Sequence, residues 1–361
     1  MSPRETKTSV VDAADAWPGR RPRWPVHAAL VLLAVLLMTA VTLNPKEIDL
    51  PLGQAISALV HRIPVLRSIP HTAPDSAIET IIWDVRLPRA LAAALIGALL
   101  AYAGVAFQGL LMNPLAEPYT VGVSAGAAVG AAAVEIAGLA GLFSGLLGVG
   151  AAFLSGLGAV ALVYALARVQ GRVAVHTFLL AGTVVGTLLW SAIPLMLFLA
   201  GRSDQMSRVM FFIIGSVGTV NWTRALPLIP FLLVVGVVMR MSARELNLMA
   251  MGEETAAHLG VEIEAFKRKV LITGALATAA CVSVAGIIGF VGLVVPHAAR
   301  RIVGSEHRAL MPLAGVLGAC LLVAADVIAR VYLDEMPVGV ITSLVGAPVF
   351  CLLLRRGFKA A

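Results

Sequence analysis

Residues 173 to 201 read VAVHTFLLAGTVVGTLLWSAIPLMLFLAG, without a single Asp, Glu, Lys or Arg. A bilayer core of about 30 Å is spanned by roughly 20 apolar residues in a helix, so this stretch predicts a transmembrane helix. Comparable uncharged runs recur along the chain at 24–45, 91–112, 118–134, 136–167, 225–239, 270–299, 309–325 and 336–354. The 270–299 run is interrupted by glycines and reads as two helices, so we predict ten transmembrane helices in all.

The composition excludes a soluble domain. Of the 361 residues, 59% are apolar and only 13% are charged, whereas about a quarter of residues are charged in soluble globular domains. Long charge-free stretches follow one another with short polar breaks, as expected when lipid surrounds most of the surface. We therefore predict an all-α integral membrane protein with one ten-helix transmembrane domain at 26–356, preceded by a tail at 1–25.

An even number of helices places both termini on the same side of the membrane. Both tails are basic, with Arg20 and Arg21 near one end and Arg355 and Arg356 near the other, so the positive-inside rule places them in the cytoplasm. Cytoplasmic segments then hold 18 of the 27 basic residues, ten in loops and eight in the tails. We predict a multi-pass protein of the inner or plasma membrane with an external loop at 45–84. Its surroundings are the lipid bilayer, and nucleic acid is not an expected partner.

Glycines recur at four-residue spacing in two of the predicted helices. Gly122, Gly126 and Gly130 lie in the third helix, and Gly182 and Gly186 lie in the fifth. Small residues let helices approach closely within a membrane. We predict that these faces pack tightly against neighbouring helices.

Ionisable groups at membrane depth are nearly absent. Only Glu135 and Asp326 lie near the predicted helices, towards their ends, and Asp326 can meet Arg330 one helical turn on. An ion-coupled carrier or channel would place such groups deep in its helices, and a membrane enzyme would need a cluster of His, Asp or Glu. No catalytic residue and no metal site are expected. The chain also lacks a phosphate-binding G-x-x-x-x-G-K-[ST] loop, so energy for uphill transport must come from another polypeptide.

One cytoplasmic segment, 247–261, is too polar to cross lipid. Gly252 precedes Glu253 and Glu254, which suit a helix N-terminus, and Gly260 suits the C-terminal cap. The pattern predicts a short helix outside the bilayer. Such a helix is either a docking element or an ordinary solvated loop helix, and the residues alone leave both readings open.

The external side carries arginines at an unfavourable place. Arg86 and Arg89 precede the predicted second helix, and a positive charge at a helix N-terminus opposes the macrodipole by ~0.3 to 1 kcal/mol. Arg330 is similarly placed at the external end of the ninth helix. Either Asp84 compensates the first two locally, or an acidic partner outside the membrane does so.

Together these motifs resemble the permease subunits of bacterial ABC importers for iron-siderophores, haem and cobalamin, the FecCD-type or type II importers. The matching stretches run in family order at 86–89, 108–118, 122–126, 179–182, 252–260, 289–297, 337–342 and 346–348. Two features depart from the pattern. Phe211 and Phe212 stand near a position where many relatives carry tryptophan, and the 45–84 loop is long.

The resemblance implies a homodimer that contacts two cytoplasmic ATPase subunits and an external solute-binding protein. ATP and Mg²⁺ would be bound by the ATPase, so no cofactor is expected in this chain. The resemblance assigns a cytoplasmic coupling segment at 243–266. The residues that would contact the ATPase are Gly252, Glu253, Glu254, Thr255, Ala256, His258, Leu259 and Gly260. The binding protein would dock on Arg86, Arg89 and Arg330.

The resemblance also implies a transport pathway with a gate at its cytoplasmic end. The gate residues would be Asn113, Leu115, Arg172, Val173, Ala174 and Val175. The pathway lining would include Thr183, Thr187, Ser191, Thr342 and Ser343. An iron-siderophore complex is the first substrate expected, with haem or cobalamin as the alternative, and no residue of this chain decides among them.

Overall fold

The protein is built almost entirely of α-helices. The computed structural model describes residues 24–42, 52–62, 75–139, 141, 145–200 and 203–357. Within these ranges the only strands are two segments of two residues each, so the predicted all-α class is confirmed. Most of the predicted tail at 1–25 lies outside the described residues.

The elements follow one another in a simple order. The helices of the first half are α1 (Trp24–Thr42), α2 (Leu52–Arg62), α3 (Ser76–Thr80), α4 (Leu87–Leu110), α5 (Val123–Ile136), α6 (Leu146–Ala167) and α7 (Val175–Ala200). Between α6 and α7, an antiparallel hairpin is formed by β1 (Arg168–Val169) and β2 (Arg172–Val173). The helices of the second half are α8 (Ser203–Ile214), α9 (Trp222–Ala225), α10 (Leu228–Met249), α11 (Glu253–His258), α12 (Ile263–Ala285), α13 (Val291–Val303), α14 (His307–Tyr332) and α15 (Val338–Gly357).

Seven stretches of described helix are long and apolar enough to cross a membrane. They contain α1, α4, α6, α7, α10, α12 and α14. The other three predicted spans correspond to α5, α13 and α15, which have 14, 13 and 20 residues. The 270–299 run is divided between α12 and α13, as predicted.

Helix α4 forms the centre of the bundle, where it packs against α10, α12, α13 and α14. Close approach depends on glycine. A Cβ atom on Gly97 would lie 2.2 Å from the carbonyl oxygen of Gly318, and one on Gly104 would lie 1.9 Å from that of Gly292. The backbones of α4, α13 and α14 therefore touch, which replaces the hydrophobic driving force that lipid does not supply.

The predicted glycine faces are confirmed at three of the five positions. A Cβ on Gly126 would lie 2.6 Å from the Ala159 Cβ, and one on Gly130 would lie 2.5 Å from the carbonyl oxygen of Ala151, so α5 packs closely on α6. Gly182 meets the backbone of Thr120 in the same way. At Gly186 a Cβ would meet nothing within 4 Å, and Gly122 has a positive φ of 87° at the N-cap of α5.

The second long helix begins well before the residue that the uncharged run indicates. Asp75 caps α3 by accepting the N–H of Ala77 at 3.0 Å, and α3 continues through a π-helical turn at Ile81–Arg86 into α4. The described part of the predicted external loop at 45–84 thus contains α2 and the start of this helix, and the external location of the segment stays a prediction. Trp83 connects this helix to α2 by donating its indole N–H to the carbonyl of Ala58 at 2.9 Å.

Candidate functional site

The segment after α10, for which we predict a cytoplasmic location, folds as the predicted short helix. Gly252 adopts a φ of 107° at the N-cap, and Gly260 a φ of 87° just beyond the end of α11. The N–H of Gly260 donates to the carbonyl of Ala257, and the N–H of Val261 to that of Ala256, both at 3.0 Å. This is a Schellman cap, so glycine is required where the chain leaves the helix.

Helix α11 has one inner face and one outer face. Ala256 is fully buried against the protein, which fixes the rotation of the helix. Glu254, Thr255, His258 and Leu259 are exposed on the outer side. The segment therefore presents two polar side chains, one carboxylate and one apolar side chain away from the bundle.

Lys267 in the first turns of α12 joins three elements at this surface. Its ammonium lies 2.8 Å from the Glu253 carboxylate of α11, 3.0 Å from the carbonyl oxygen of Val173 in β2 and 3.5 Å from the Glu264 carboxylate. Only 5% of the side chain is exposed. An ammonium has three N–H donors, and this one has three acceptors.

The sequence does not single out Lys267, because Arg268 and Lys269 follow it and the three residues together indicate only a basic segment. A weak signal exists in Glu264, which precedes it by three residues on one helix face. The contact with Val173 spans 94 residues of chain, and no local pattern indicates it.

The hairpin before α7 holds the first group of predicted gate residues. Its turn consists of Gln170 and Gly171, with positive φ values of 51° and 82°, as a type I′ turn requires. Val173 is buried, and its N–H donates to the Glu264 carboxylate at 3.0 Å. Arg172 and Ala174 are exposed and Val175 is partly buried, so the hairpin offers a mixed surface at the start of α7.

The second group of predicted gate residues lies in the connection between α4 and α5. The side chain of Asn113 accepts the N–H of Leu115 at 2.9 Å, a local turn that leaves Leu115 exposed. Glu117 anchors the same connection by accepting the N–H of Phe290 at 2.8 Å. Burial raises the pKa of Glu117, and the Phe290 hydrogen bond opposes that rise. The connection is thus tied to the break between α12 and α13.

The three predicted docking arginines lie together at the opposite end of the bundle, and all are buried. Arg89 contacts the carboxylates of Asp326 at 2.8 Å and Glu335 at 2.6 Å. Arg86 donates to the carbonyl of Val41 at 3.0 Å, and Arg330 donates to that of Ala40. The end of α1 and the turn after α14 therefore supply acceptors within this chain.

This arrangement corrects three expectations about the arginines. Arg86 and Arg89 are not at a helix N-terminus, because the helix begins at Ser76, so the macrodipole does not act on them as predicted. Asp84 pairs with Arg62 at 3.5 Å instead of compensating them. Asp326 forms its direct ion pair with Arg89 across two helices, and not with Arg330 on its own helix.

The predicted pathway residues on α7 lie on one exposed face. Thr183, Thr187 and Ser191 each donate their hydroxyl to the carbonyl four residues earlier, at 2.9 to 3.0 Å. Their hydrogen-bonding capacity is thus partly used within the helix. On α15, Ser343 is partly exposed, but Thr342 is buried and donates to the carbonyl of Gly339. Thr342 therefore does not contribute to an open wall in the isolated chain.

The chain is similar to a family of transport proteins and to several of their permease subunits. A model described as the FecCD transport family matches residues 28–356. The chain is 38% identical to the cobalamin import system permease protein BtuC of Halobacterium salinarum, over 93% of this chain and 96% of that protein. It is 34% identical to the hemin transport system permease protein HmuU of Yersinia pestis, with the same coverage.

A solved structure agrees with the fold. It is described as an inward-facing conformation of a "metal-chelate type ABC transporter", and it matches with a TM-score of 0.78 at 27% identity. The match covers 93% of this chain and 100% of that one.

Proposed function

Because this chain belongs to the FecCD transport family and is the membrane permease subunit of an ABC importer, we propose that it carries a bulky metal chelate into the cytoplasm. An iron-siderophore complex is the first candidate. Haem and cobalamin are the alternatives, because two relatives are named as a hemin and a cobalamin permease. The family match over residues 28–356 is the observation that carries the proposal.

The exposed face of α7 supports a pathway that holds its cargo weakly. The hydroxyls of Thr183, Thr187 and Ser191 donate to their own helix, and Leu180, at 66% exposure, lies beside them. A wall of this kind offers few free donors to a chelate. Selectivity would then reside in an external binding protein, and the wall would permit passage.

The same face supports a homodimer. Leu180, Val184 and Leu188 recur every four residues on α7 and are all exposed, so they meet either lipid or another polypeptide. We propose that a second copy faces this helix and that the pathway lies between the two copies. Cross-linking of paired single-cysteine variants on this face, in membranes, tests that arrangement.

The cytoplasmic face of the subunit would receive the ATPase, which binds ATP and Mg²⁺. Helix α11 is rotated by the burial of Ala256 so that Glu254, His258 and Leu259 are exposed. These side chains give a partner one anionic, one titratable and one apolar contact. We propose that α11 and its flanking glycines form the coupling surface, and that the hairpin and the α4–α5 connection form the cytoplasmic gate.

The external arginine cluster would receive the solute-binding protein. Glu335 shields Arg89 from outside, and its own side chain is 54% exposed. An acidic residue of a binding protein can therefore replace Glu335 on Arg89, while Asp326 continues to hold the inner side of the guanidinium. Docking through these arginines would require that exchange.

The substrate proposal is tested on the cognate binding protein and then on the complete transporter. Thermal-shift measurements with a ferric siderophore, haem, cobalamin and molybdate would show which ligand stabilises the binding protein. ATP-dependent uptake of the same four compounds into proteoliposomes would follow. Uptake of a ferric siderophore alone supports the proposal, uptake of haem or cobalamin selects the alternative, and uptake of molybdate alone contradicts the chelate class.

A further inference from the structure

The two cytoplasmic features to which we assign coupling and gating are joined by one buried side chain. Lys267 contacts Glu253 of α11 at 2.8 Å and the carbonyl oxygen of Val173 in β2 at 3.0 Å. Glu264, one turn earlier on α12, completes the link by accepting the N–H of Val173 at 3.0 Å. Both backbone polar groups of Val173 are thus held by side chains of α12.

This geometry is stiffer than an ordinary surface ion pair. Only 5% of the Lys267 side chain is exposed, and its ammonium is surrounded by acceptors from α11, α12 and β2. Surface pairs contribute little because water competes and both side chains are mobile. The Lys267 ammonium is shielded from water and held by three acceptors, although the side chains of Glu253 and Glu264 are 35% and 37% exposed. A displacement of Glu253 should therefore carry the ammonium and Val173 with it.

The hairpin in turn continues directly into α7. Val173 ends β2, and α7 begins at Val175. A movement of β2 therefore displaces the first turn of the helix whose exposed face we assign to the pathway. The continuous chain of contacts runs from α11 through Lys267 to Val173 and then into α7.

We infer that Lys267 is a positioning residue that transmits movement of the coupling helix α11 to the gate hairpin, with Glu264 as its partner on Val173. This inference rests on the proposed roles of α11 and the hairpin. It predicts that loss of Lys267 uncouples ATP hydrolysis from transport, although Lys267 itself contacts neither the ATPase nor the cargo.

The test uses the complete transporter in proteoliposomes, with uptake and ATP hydrolysis measured together. Lys267→Met keeps the length of the side chain and removes the ammonium. We expect the amount of cargo moved per ATP to fall at least about fivefold, the lower range of coupling between sites, while the ATPase still co-purifies. Lys267→Arg should restore much of the loss, since it keeps a positive donor group.

Lys269→Met is the matched control. Lys269 lies on the same helix and pairs with Glu245 at 2.6 Å, and no hydrogen bond described for it reaches the hairpin or α11. Cargo moved per ATP should remain at the wild-type value in this variant. An equal loss in both variants would contradict the specific role of Lys267.

A second measurement follows the hairpin itself. Gln170 is exposed at the hairpin turn, and in a C351S background the remaining cysteines are buried. Maleimide labelling of Q170C should differ between the nucleotide-free state and the state trapped with ADP and vanadate, and Lys267→Met should abolish that difference. Unchanged transport per ATP together with an unchanged labelling difference would overturn the inference.

Two further observations distinguish an error in the inference about Lys267 from an error in the proposed gate. If Lys267→Met fails to fold, Glu264→Gln takes its place, because its side chain is partly exposed and the variant weakens only one side of the link. Full coupling in Glu264→Gln would overturn the inference. If the wild-type transporter itself shows no nucleotide-dependent labelling of Q170C, the proposed gate is wrong, independently of Lys267.

Discussion

The Nε atom of Arg89 lies 2.8 Å from a carboxylate oxygen of Asp326, and the two side chains are only 7% and 2% exposed. The pair joins α4 to α14, two helices that also touch through Gly97 and Gly318. Breaking such a pair within an apolar bundle is costly: without Arg89, the buried Asp326 would lose its direct ion pair, and without Asp326, Arg89 would keep only the half-exposed Glu335.

Removing one member of this pair should destabilise the subunit. For Asp326→Asn we expect a loss of more than about 1 kcal/mol and at most the roughly 3 to 5 kcal/mol that is usual for a broken buried pair, because Glu335 still pairs with Arg89. The loss is seen as a lower thermal unfolding midpoint of the purified subunit in detergent. Glu135→Gln serves as the control, because its pair with Arg208 is largely exposed on the arginine side and should contribute at most about 1 kcal/mol. Equal midpoints for the two variants would show that the Arg89–Asp326 pair does not hold the bundle together.

The glycine contact between α4 and α14 should tolerate no side chain. In Gly318→Ala the new Cβ would lie 2.2 Å from the carbonyl oxygen of Gly97, which is backbone and cannot rotate away. We expect a loss of about 1 to 3 kcal/mol or more from overpacking, measured as reduced yield and reduced thermal stability. Gly158→Ala on α6 is the matched control, since its Cβ would meet nothing within 4 Å; a similar loss there would point to a general intolerance of alanine.

The coupling surface should depend on the charge of Glu254. Glu254→Arg reverses an exposed charge on α11, and we expect capture of the ATPase, or transport per ATP, to fall about tenfold or more, as for a central interface residue. Arg268→Glu reverses an exposed charge on the neighbouring helix α12 and should have a much smaller effect. Co-purification followed by ATPase assays measures both, and a wild-type result for Glu254→Arg would remove α11 from the interface.

The external cluster should bind its partner more tightly when Glu335 no longer competes. In Glu335→Gln the ion pair with Arg89 is lost, and we expect affinity for the binding protein to rise by about two- to fivefold, the effect of one partly exposed pair. Asp84→Asn, which alters an exposed acid that pairs with Arg62, is the control. Unchanged affinity at low salt for Glu335→Gln would show that Arg89 does not exchange Glu335 for an acidic residue of the binding protein.

Local features of this protein could be predicted from its sequence. The division of the 270–299 run, the glycine faces of α5 and the capped helix α11 each depend on residues within a few turns of one another, so spacing and residue type were sufficient. The start of the second helix could not be found in this way, because its charged first turns are made compatible with a helix by distant partners.

Contacts between distant segments account for what could not be predicted. Arg89 and Asp326 are separated by 237 residues, whereas Arg330 lies one helical turn from Asp326 and is the partner that the sequence indicates. Lys267 reaches Val173 across 94 residues. In both cases several partners of the right charge exist along the chain, and only the packing of helices selects one.

The central claim is that this subunit is a passive gate powered from the cytoplasm by a separate ATPase. The most direct measurement reconstitutes the subunit into liposomes with and without its ATPase and follows uptake of the cargo that stabilises the cognate binding protein. We predict uptake only when the ATPase, ATP and Mg²⁺ are present. Accumulation driven by an ion gradient in liposomes that contain this subunit alone would contradict the claim.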